Sequence, residues 1–208
     1  MDTPKIQKWD TLESEYIIRR PWLVARRDKV KLPSGIIHPE YYVLEYPDWV
    51  NIIAITEDGR FVMVEQYRHG WGDVLTELCA GCVEEGEDPL DAAKRELAEE
   101  TGYTGGEWEL FMEISGNPST TSNVTHCYIA RGVVPTQGQH LDRTEDIAVK
   151  ILTREELYDM LMRDEMKQAL MAALRRSSIF SGCIYAGRSS ACAKATAFSP
   201  VSDFAIAL

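Results

Sequence analysis

The stretch from Gly81 to Tyr103 holds the densest chemistry in the chain. Eight carboxylates fall between Glu84 and Glu100 (Glu84, Glu85, Glu87, Asp88, Asp91, Glu96, Glu99 and Glu100), opposed only by Lys94 and Arg95, a local net charge of −6 in 17 residues. On a helix, Glu96, Glu99 and Glu100 stand three and four residues apart and share one face. Like charges so placed weaken a helix by about a few tenths of a kcal/mol per pair. A solvated acidic face is the plain reading of such a run. Two features favour a hard divalent cation, which takes carboxylate oxygen and water. Leu97 lies inside the cluster at a core-facing position, so the carboxylates sit at the edge of packing. Gly81 precedes a turn-rich loop, Glu84-Glu85-Gly86-Glu87, which leads into the helix. Cations bound there invert the local field, hold anionic phosphates and activate water. That is the chemistry of substitution by water at phosphorus.

The elements that position this cluster are legible nearby. Asp88-Pro89 opens a helix, with Asp as N-cap and Pro at the first helical position. Leu90, Ala93 and Leu97 form its apolar stripe, and Gly102 ends it after Thr101. Residues 49–55 and 60–66 are β-rich runs flanking Thr56-Glu-Asp-Gly59, a strong hairpin signal. Segments 108–114, 124–131 and 147–152 add strands. Thr153 with Glu156 forms a capping box for a second helix, and the apolar face of Met166, Ala169, Leu170, Ala173 and Leu174 predicts a third from about Glu165 to Arg176. Upstream, residues 16–18, 22–25 and 41–46 read as strands, with a turn at Leu32-Pro-Ser-Gly35. This segment is too small to hold a core alone and must pack on the rest of the chain or on a partner subunit.

We divide the chain into an N-terminal β-rich segment (1–46), a main domain (47–176) and a Ser- and Ala-rich tail (177–208) to which no function is assigned. The 208 residues carry 22 Lys and Arg against 33 Asp and Glu, a net charge of −11. Such a balance disfavours sequence-independent nucleic-acid binding, which needs basic stripes. No apolar run approaches the roughly 20 residues of a membrane span, and the polar N-terminus does not read as a signal peptide. The expected compartment is the cytoplasm. The five cysteines (Cys79, Cys82, Cys127, Cys183, Cys192) are an odd number and do not suggest a disulfide framework. The CxxC spacing of Cys79 and Cys82 reads as coincidence, because neither a second metal-binding pair nor a helix start accompanies it.

The pattern Gly81-x5-Glu87-x7-Arg95-Glu96-Leu97-x-Glu99-Glu100-x-Gly102-Tyr103 resembles the Nudix box of the Nudix hydrolase superfamily across its 23 residues. The wider chain, from about Tyr16 to Leu174, is similar to the ADP-ribose pyrophosphatase and nucleoside-diphosphate-sugar hydrolase branch. Carrying that similarity are the β-rich N-terminal segment, Gln66-Tyr67-Arg68, Glu77-Leu-Cys-Ala-Gly81, and Pro118, 15 residues past the box.

The resemblance implies an α/β/α sandwich with a mixed sheet, plus a small N-terminal β-rich subdomain. It implies Mg²⁺ or Mn²⁺ as cofactor, with Glu96, Glu99, Glu100 and the backbone carbonyl of Ala80 as metal ligands. Gly81, Glu87, Arg95 and Gly102 become supports of the box, and Arg68, Glu77 and Pro118 candidate substrate contacts. The bland reading of Arg68 is a surface ion pair. The implied reaction is hydrolysis of ADP-ribose or a nucleotide sugar to a nucleoside monophosphate and a sugar phosphate. The alternatives are a nucleoside triphosphate or dinucleotide substrate, a non-catalytic ADP-ribose sensor, and a diphosphate isomerase. A homodimer is expected through residues 1–46. Trp22, Tyr41, Tyr42 and Trp49 are candidates for base stacking or for strand packing. Relatives of this branch often carry a glutamate base five residues after the downstream proline. Here Asn123 stands at that position, and an amide cannot take the proton. Either metals alone activate the water or another carboxylate serves: Glu145 and Asp146 are the nearest later ones, and Glu145 is the expected base, its plain reading being a solvated loop glutamate.

Overall fold

The computed structural model describes residues 5–169. The tail 177–208, with Cys183 and Cys192, lies outside the described residues, as does most of the expected third helix. Residues 165–168, where that helix was expected to start, are irregular. The preceding helix stops at Met162, and Asp164 follows with a positive φ of 53°.

Three strands, β1 (Asp10–Arg20), β2 (Leu23–Lys31) and β3 (Ile37–Glu45), form an antiparallel meander. The turn at Leu32–Gly35 is closed by the Gly35 N–H on the Leu32 carbonyl at 2.8 Å. These strands are longer than the sequence indicated, because their outward residues are charged and mask the β pattern. Cross-strand ion pairs Arg27–Glu15, Arg27–Glu40 and Lys29–Glu13 line this meander.

The second sheet contains β4 (Trp49–Thr56), β5 (Phe61–Arg68), β6 (Asp73–Cys82), β7 (Tyr103–Ile114), β8 (Thr125–Pro135) and β9 (Ile147–Leu152). Its order is β7-β8-β4-β6-β5-β9, with β4 and β8 parallel and the other neighbours antiparallel. The sheet is therefore mixed. Strand β6 was not expected from the sequence, although Val74-Leu-Thr after Gly72 carries a β signal. It leaves β5 after Leu78 and pairs β4 from Cys79 onward, which brings the chain across to the box.

Alternation along the central strands makes two cores. Val50, Ile52, Ala54, Val62, Val64 and Cys79 face α1 (Pro89–Thr101) and its Ala92, Ala93 and Leu97. Ile53, Phe61, Met63 and Leu78 face α2 (Arg154–Met162) and its Leu157 and Leu161. The sheet is thus covered by a helix on each side, the α/β/α sandwich that was expected.

Both helices start as the sequence indicates. The Asp88 side chain accepts from the Leu90 N–H, with Pro89 following, and Thr153 and Glu156 form a complete capping box. Gly102 closes α1 with a φ of 74° and packs so tightly that a Cβ there would overlap the carbonyl oxygen of Gln137. Gly102→Ala therefore faces both left-handed backbone strain and a backbone clash. A loss of about 1–3 kcal/mol is expected, read by chemical denaturation. An unchanged midpoint would contradict this account of the helix end.

Candidate active site

The stripe that packs α1 on the sheet runs through Ala93, Leu97 and then Glu100, three residues further on. Helical spacing thus carries a carboxylate into the core edge, where Glu100 is 4% exposed. Its Oε2 accepts the Ala80 N–H at 3.3 Å, and the Cys79 thiol also hydrogen-bonds it. Burial raises its pKa to about 7, and the charges of Glu96 and Glu145 add to that, against the lowering effect of the two hydrogen bonds. Burial likewise raises Glu96, with the charges of Glu99 and Glu145 adding to it. The Glu96 carboxylate lies over the backbone of Gly81, where a Cβ would overlap it. Glycine at 81 is required by this close approach. Its conformation does not demand it, since its φ is not positive.

Arg95 organises the loop before the helix. Its Nε and Nη2 donate to the two oxygens of Glu87 at 2.9 Å each, and Nη2 also donates to the Cys82 carbonyl at 3.0 Å. Its Nη1 donates to Glu96 at 2.8 Å and to Glu99 at 3.2 Å. Glu87 in turn accepts the Glu84 N–H at 3.0 Å, so one ion pair shapes the turn. These bonds hold Arg95 further above its ordinary value, Glu87 contributing most, and lower Glu87.

Ala80, Gly81 and Cys82 border a cleft of about 570 Å³. Trp22 and its neighbours at the β1–β2 turn line it, with Glu45, Tyr46 and Pro47, Trp49, Arg68 and Gln168. The rings of Tyr46 and Trp49 lie 5.6 Å apart, and Trp22 is 86% exposed. Arg68 pairs with buried Glu77 at 2.6 Å rather than with a surface carboxylate, and it also borders the cleft. Tyr41 instead donates to the Ser119 carbonyl at 2.5 Å and packs on Trp9, and Tyr42 bonds Glu40. Neither lines the cleft. Pro118 is exposed on a loop that docks beside β3 through the Leu44 N–H to Thr120 carbonyl bond of 2.7 Å.

Asn123 is 5% exposed and donates to the Pro47 carbonyl at 3.0 Å. It locks the start of β8 to the β3–β4 connection, and a carboxylate there would lose that bond and be buried. Glu145 is exposed, and its Oε2 accepts the Asp142 N–H at 2.9 Å. Its charge bears on Glu96, Glu100 and Cys79. The loop that carries Glu145 docks on the end of α1 through the His140 N–H to Glu99 carbonyl bond of 2.8 Å. Cys79 and Cys82, three apart on a strand, lie in different settings: Cys79 in the α1 core and Cys82 on the cleft. Sequence reasoning missed the Cys79 thiol beneath Glu100 and the docking of residues 136–140 on α1. No spacing rule announces either contact.

The donor chemistry suits a hard divalent ion: carboxylates crowded together, two of them raised by burial and mutual repulsion. Among the described residues, no three such side chains are already drawn together in a closed ligand set, since Arg95 engages Glu96 and Glu99. The NUDIX domain profile matches residues 45–174. The chain belongs to the Nudix family. Nudix hydrolases generally use divalent metal ions. A profile of the nucleoside diphosphate sugar hydrolase N-terminal domain matches residues 9–44. The chain is 33% identical to the methanol dehydrogenase activator of Bacillus methanolicus, over 73% of this chain and 82% of that one. It is 30% identical to the ADP-ribose pyrophosphatase of Bacillus subtilis, over 78% and 88%. A crystal structure of an ADP compounds hydrolase shares the fold, with a TM-score of 0.73 at 21% identity, over 83% of this chain and 94% of that one.

The raised pKa of Glu100 has a consequence for stability. Unfolded, the group titrates near 4.5; folded without metal, near 7. Between these values the folded chain binds a proton that the unfolded chain does not, so stability falls as pH rises through that window. Glu87, shifted the other way, acts only below it. In chelator, the melting temperature should drop from pH 5 to pH 8, and Glu100→Gln should remove most of the drop. An equal drop in both proteins would refute the burial argument.

Proposed function

We propose that the chain hydrolyses the pyrophosphate linkage of ADP-ribose or a related nucleoside diphosphate sugar, with Mg²⁺ or Mn²⁺. The observation that carries this reading is the intact box, folded as a carboxylate face against the backbone of Ala80 and Gly81, beside an aromatic-lined cleft. The names of the relatives and the N-terminal profile support the substrate class. A sensor without catalysis has no need of that intact face, and a triphosphate or dinucleotide substrate gains no support from the N-terminal profile.

Glu96, Glu99, Glu100 and the Ala80 carbonyl would hold the metal, with Arg95 and Glu87 bracing them. Bound metal supplies charge neutralisation of the two phosphates and a more acidic water. Arg68, anchored by Glu77, contacts a phosphate from the cleft wall, and Trp22 or Trp49 stacks on the base. Glu145 takes a proton from the attacking water. The water oxygen bonds to phosphorus, and the bond from that phosphorus to the bridging oxygen breaks. The products are a nucleoside monophosphate and a sugar phosphate. Pro118 acts at a distance, by shaping the loop that docks on β3.

ADP-ribose with Mg²⁺ should give AMP and ribose 5-phosphate, and excess chelator should abolish turnover. Glu145→Gln should lower kcat by about 10²–10⁴ with KM little changed. If it keeps more than about a third of wild-type kcat, far from that loss, Glu145 is not the base.

We further propose that residues 1–46 form the dimerisation segment and 47–176 the catalytic domain. Strand β1 is exposed along its whole length and carries Leu12, Tyr16, Ile17 and Ile18, beside exposed Trp9 and Ile37. An edge strand with this much apolar surface needs a cover. The free thiols of Cys79, Cys82 and Cys127 suit the reducing cytoplasm. Light scattering at micromolar concentration should give twice the chain mass, and Tyr16→Lys/Ile18→Lys should give a monomer. A monomeric wild type would overturn the assignment.

A further inference from the structure

The last carbonyls of a helix have no partner within it. At the end of α1, one distant segment takes them. The Thr136 and Gln137 N–H groups donate to the Gly102 carbonyl at 3.0 and 3.3 Å, and the His140 N–H donates to the Glu99 carbonyl at 2.8 Å. The Gln137 amide donates to the Ala98 carbonyl at 3.3 Å. Gln139 does more. Its Nε2 donates to the Glu100 carbonyl at 2.6 Å and to the Ile147 carbonyl at 3.0 Å. An amide nitrogen has two hydrogens, so both bonds form together.

One nitrogen therefore ties the turn that carries Glu99 and Glu100 to the first residue of β9. Between the two anchors the chain loops out through Glu145. That loop is folded on itself by the Glu145 N–H to the Asp142 carbonyl and the Asp142 N–H to the Glu145 carboxylate, both 2.9 Å. The Gln139 side chain is exposed and lies outside both core clusters. Burial does not explain its position, whereas the two hydrogen bonds do. A carboxylate on an unpinned loop samples many placements, and small misplacements of a reacting group cost rate steeply.

We propose that Gln139 is a positioning residue: its amide clamps the 140–146 loop to α1 and so holds Glu145 beside the Glu96, Glu99 and Glu100 face. The proposal rests on Glu145 as the proton acceptor. The His140 N–H, bonded to the Glu99 carbonyl at 2.8 Å, holds the start of the same loop against the turn that carries that face.

The test is a double-mutant cycle with ADP-ribose and Mg²⁺, joined to hydrogen exchange of the substrate-free protein. Gln139→Leu keeps the size and removes both donors. Its kcat should fall about tenfold with KM within about twofold, because binding is untouched. Gln139→Lys keeps donors where a helix end favours a cation and should recover most of the loss. Gln139→Leu/Glu145→Gln should turn over within about twofold of Glu145→Gln alone, because one acts through the other. Amides of 140–146 should exchange faster in Gln139→Leu while those of α1 keep their protection, which also shows that the variant is folded. Gln139→Ser, too short to reach both carbonyls, gives the same comparison if the leucine variant does not fold. A further tenfold loss in the double variant would mean that Gln139 acts through α1, and would overturn the proposal. If Glu145→Gln alone keeps wild-type kcat, the base assignment has failed. Unchanged exchange in the loop of Gln139→Leu would instead show that the clamp itself is wrong.

Discussion

The site depends on one guanidinium. Arg95 makes five hydrogen bonds: two to Glu87, one to the Cys82 carbonyl, and one each to Glu96 and Glu99. It is the cation that meets the carboxylate face from within the helix, and its planar fork binds Glu87 through both oxygens. A lysine point charge cannot reproduce that fork. Through Glu87 it sets the turn at Glu84, and through Cys82 it ties that turn to the end of β6. Without it, carboxylates at the edge of the core would face one another at close range, with water excluded from part of their surface.

The second constraint is the closeness of α1 to β6. Glu96 crosses the backbone of Gly81, and Glu100 takes the Ala80 N–H. These contacts place the carboxylates beside the cleft whose border includes Ala80, Gly81 and Cys82. Glu100 is stabilised there by two hydrogen bonds yet still raised by burial. The fold tolerates an unfavourable charge because the stripe of Ala92, Ala93 and Leu97 anchors the same helix against the sheet.

The N-terminal meander meets the sandwich at a few defined places. Leu44 bridges to Thr121, Tyr41 reaches Ser119, and Asn123 holds Pro47. These contacts seat the meander on the sandwich, while its β1–β2 turn and Glu45 border the cleft and β1 stays exposed. The meander therefore contributes to the site on one side and presents apolar side chains to solvent on the other.

Local rules sufficed for much of this. The capping of α1 by Asp88 and Pro89, its end at Gly102, the Asp-Gly hairpin and the Thr153 capping box follow from short-range backbone preferences, and all are found. Helical periodicity alone set Glu96, Glu99 and Glu100 on one face, with Leu97 beneath. Three things were not legible. Strand β6 was hidden because it changes partner midway, which no single-strand pattern records. The charged outward faces of β1 and β2 concealed their length, since the ion pairs that pay for those charges join residues at least a dozen positions apart. The Gln139 clamp and the Cys79 thiol beneath Glu100 depend on a loop and a strand meeting a helix far away in the chain. Sequence spacing encodes which side chains share a face within one element; only packing between elements decides which carbonyls, thiols and carboxylates meet across them.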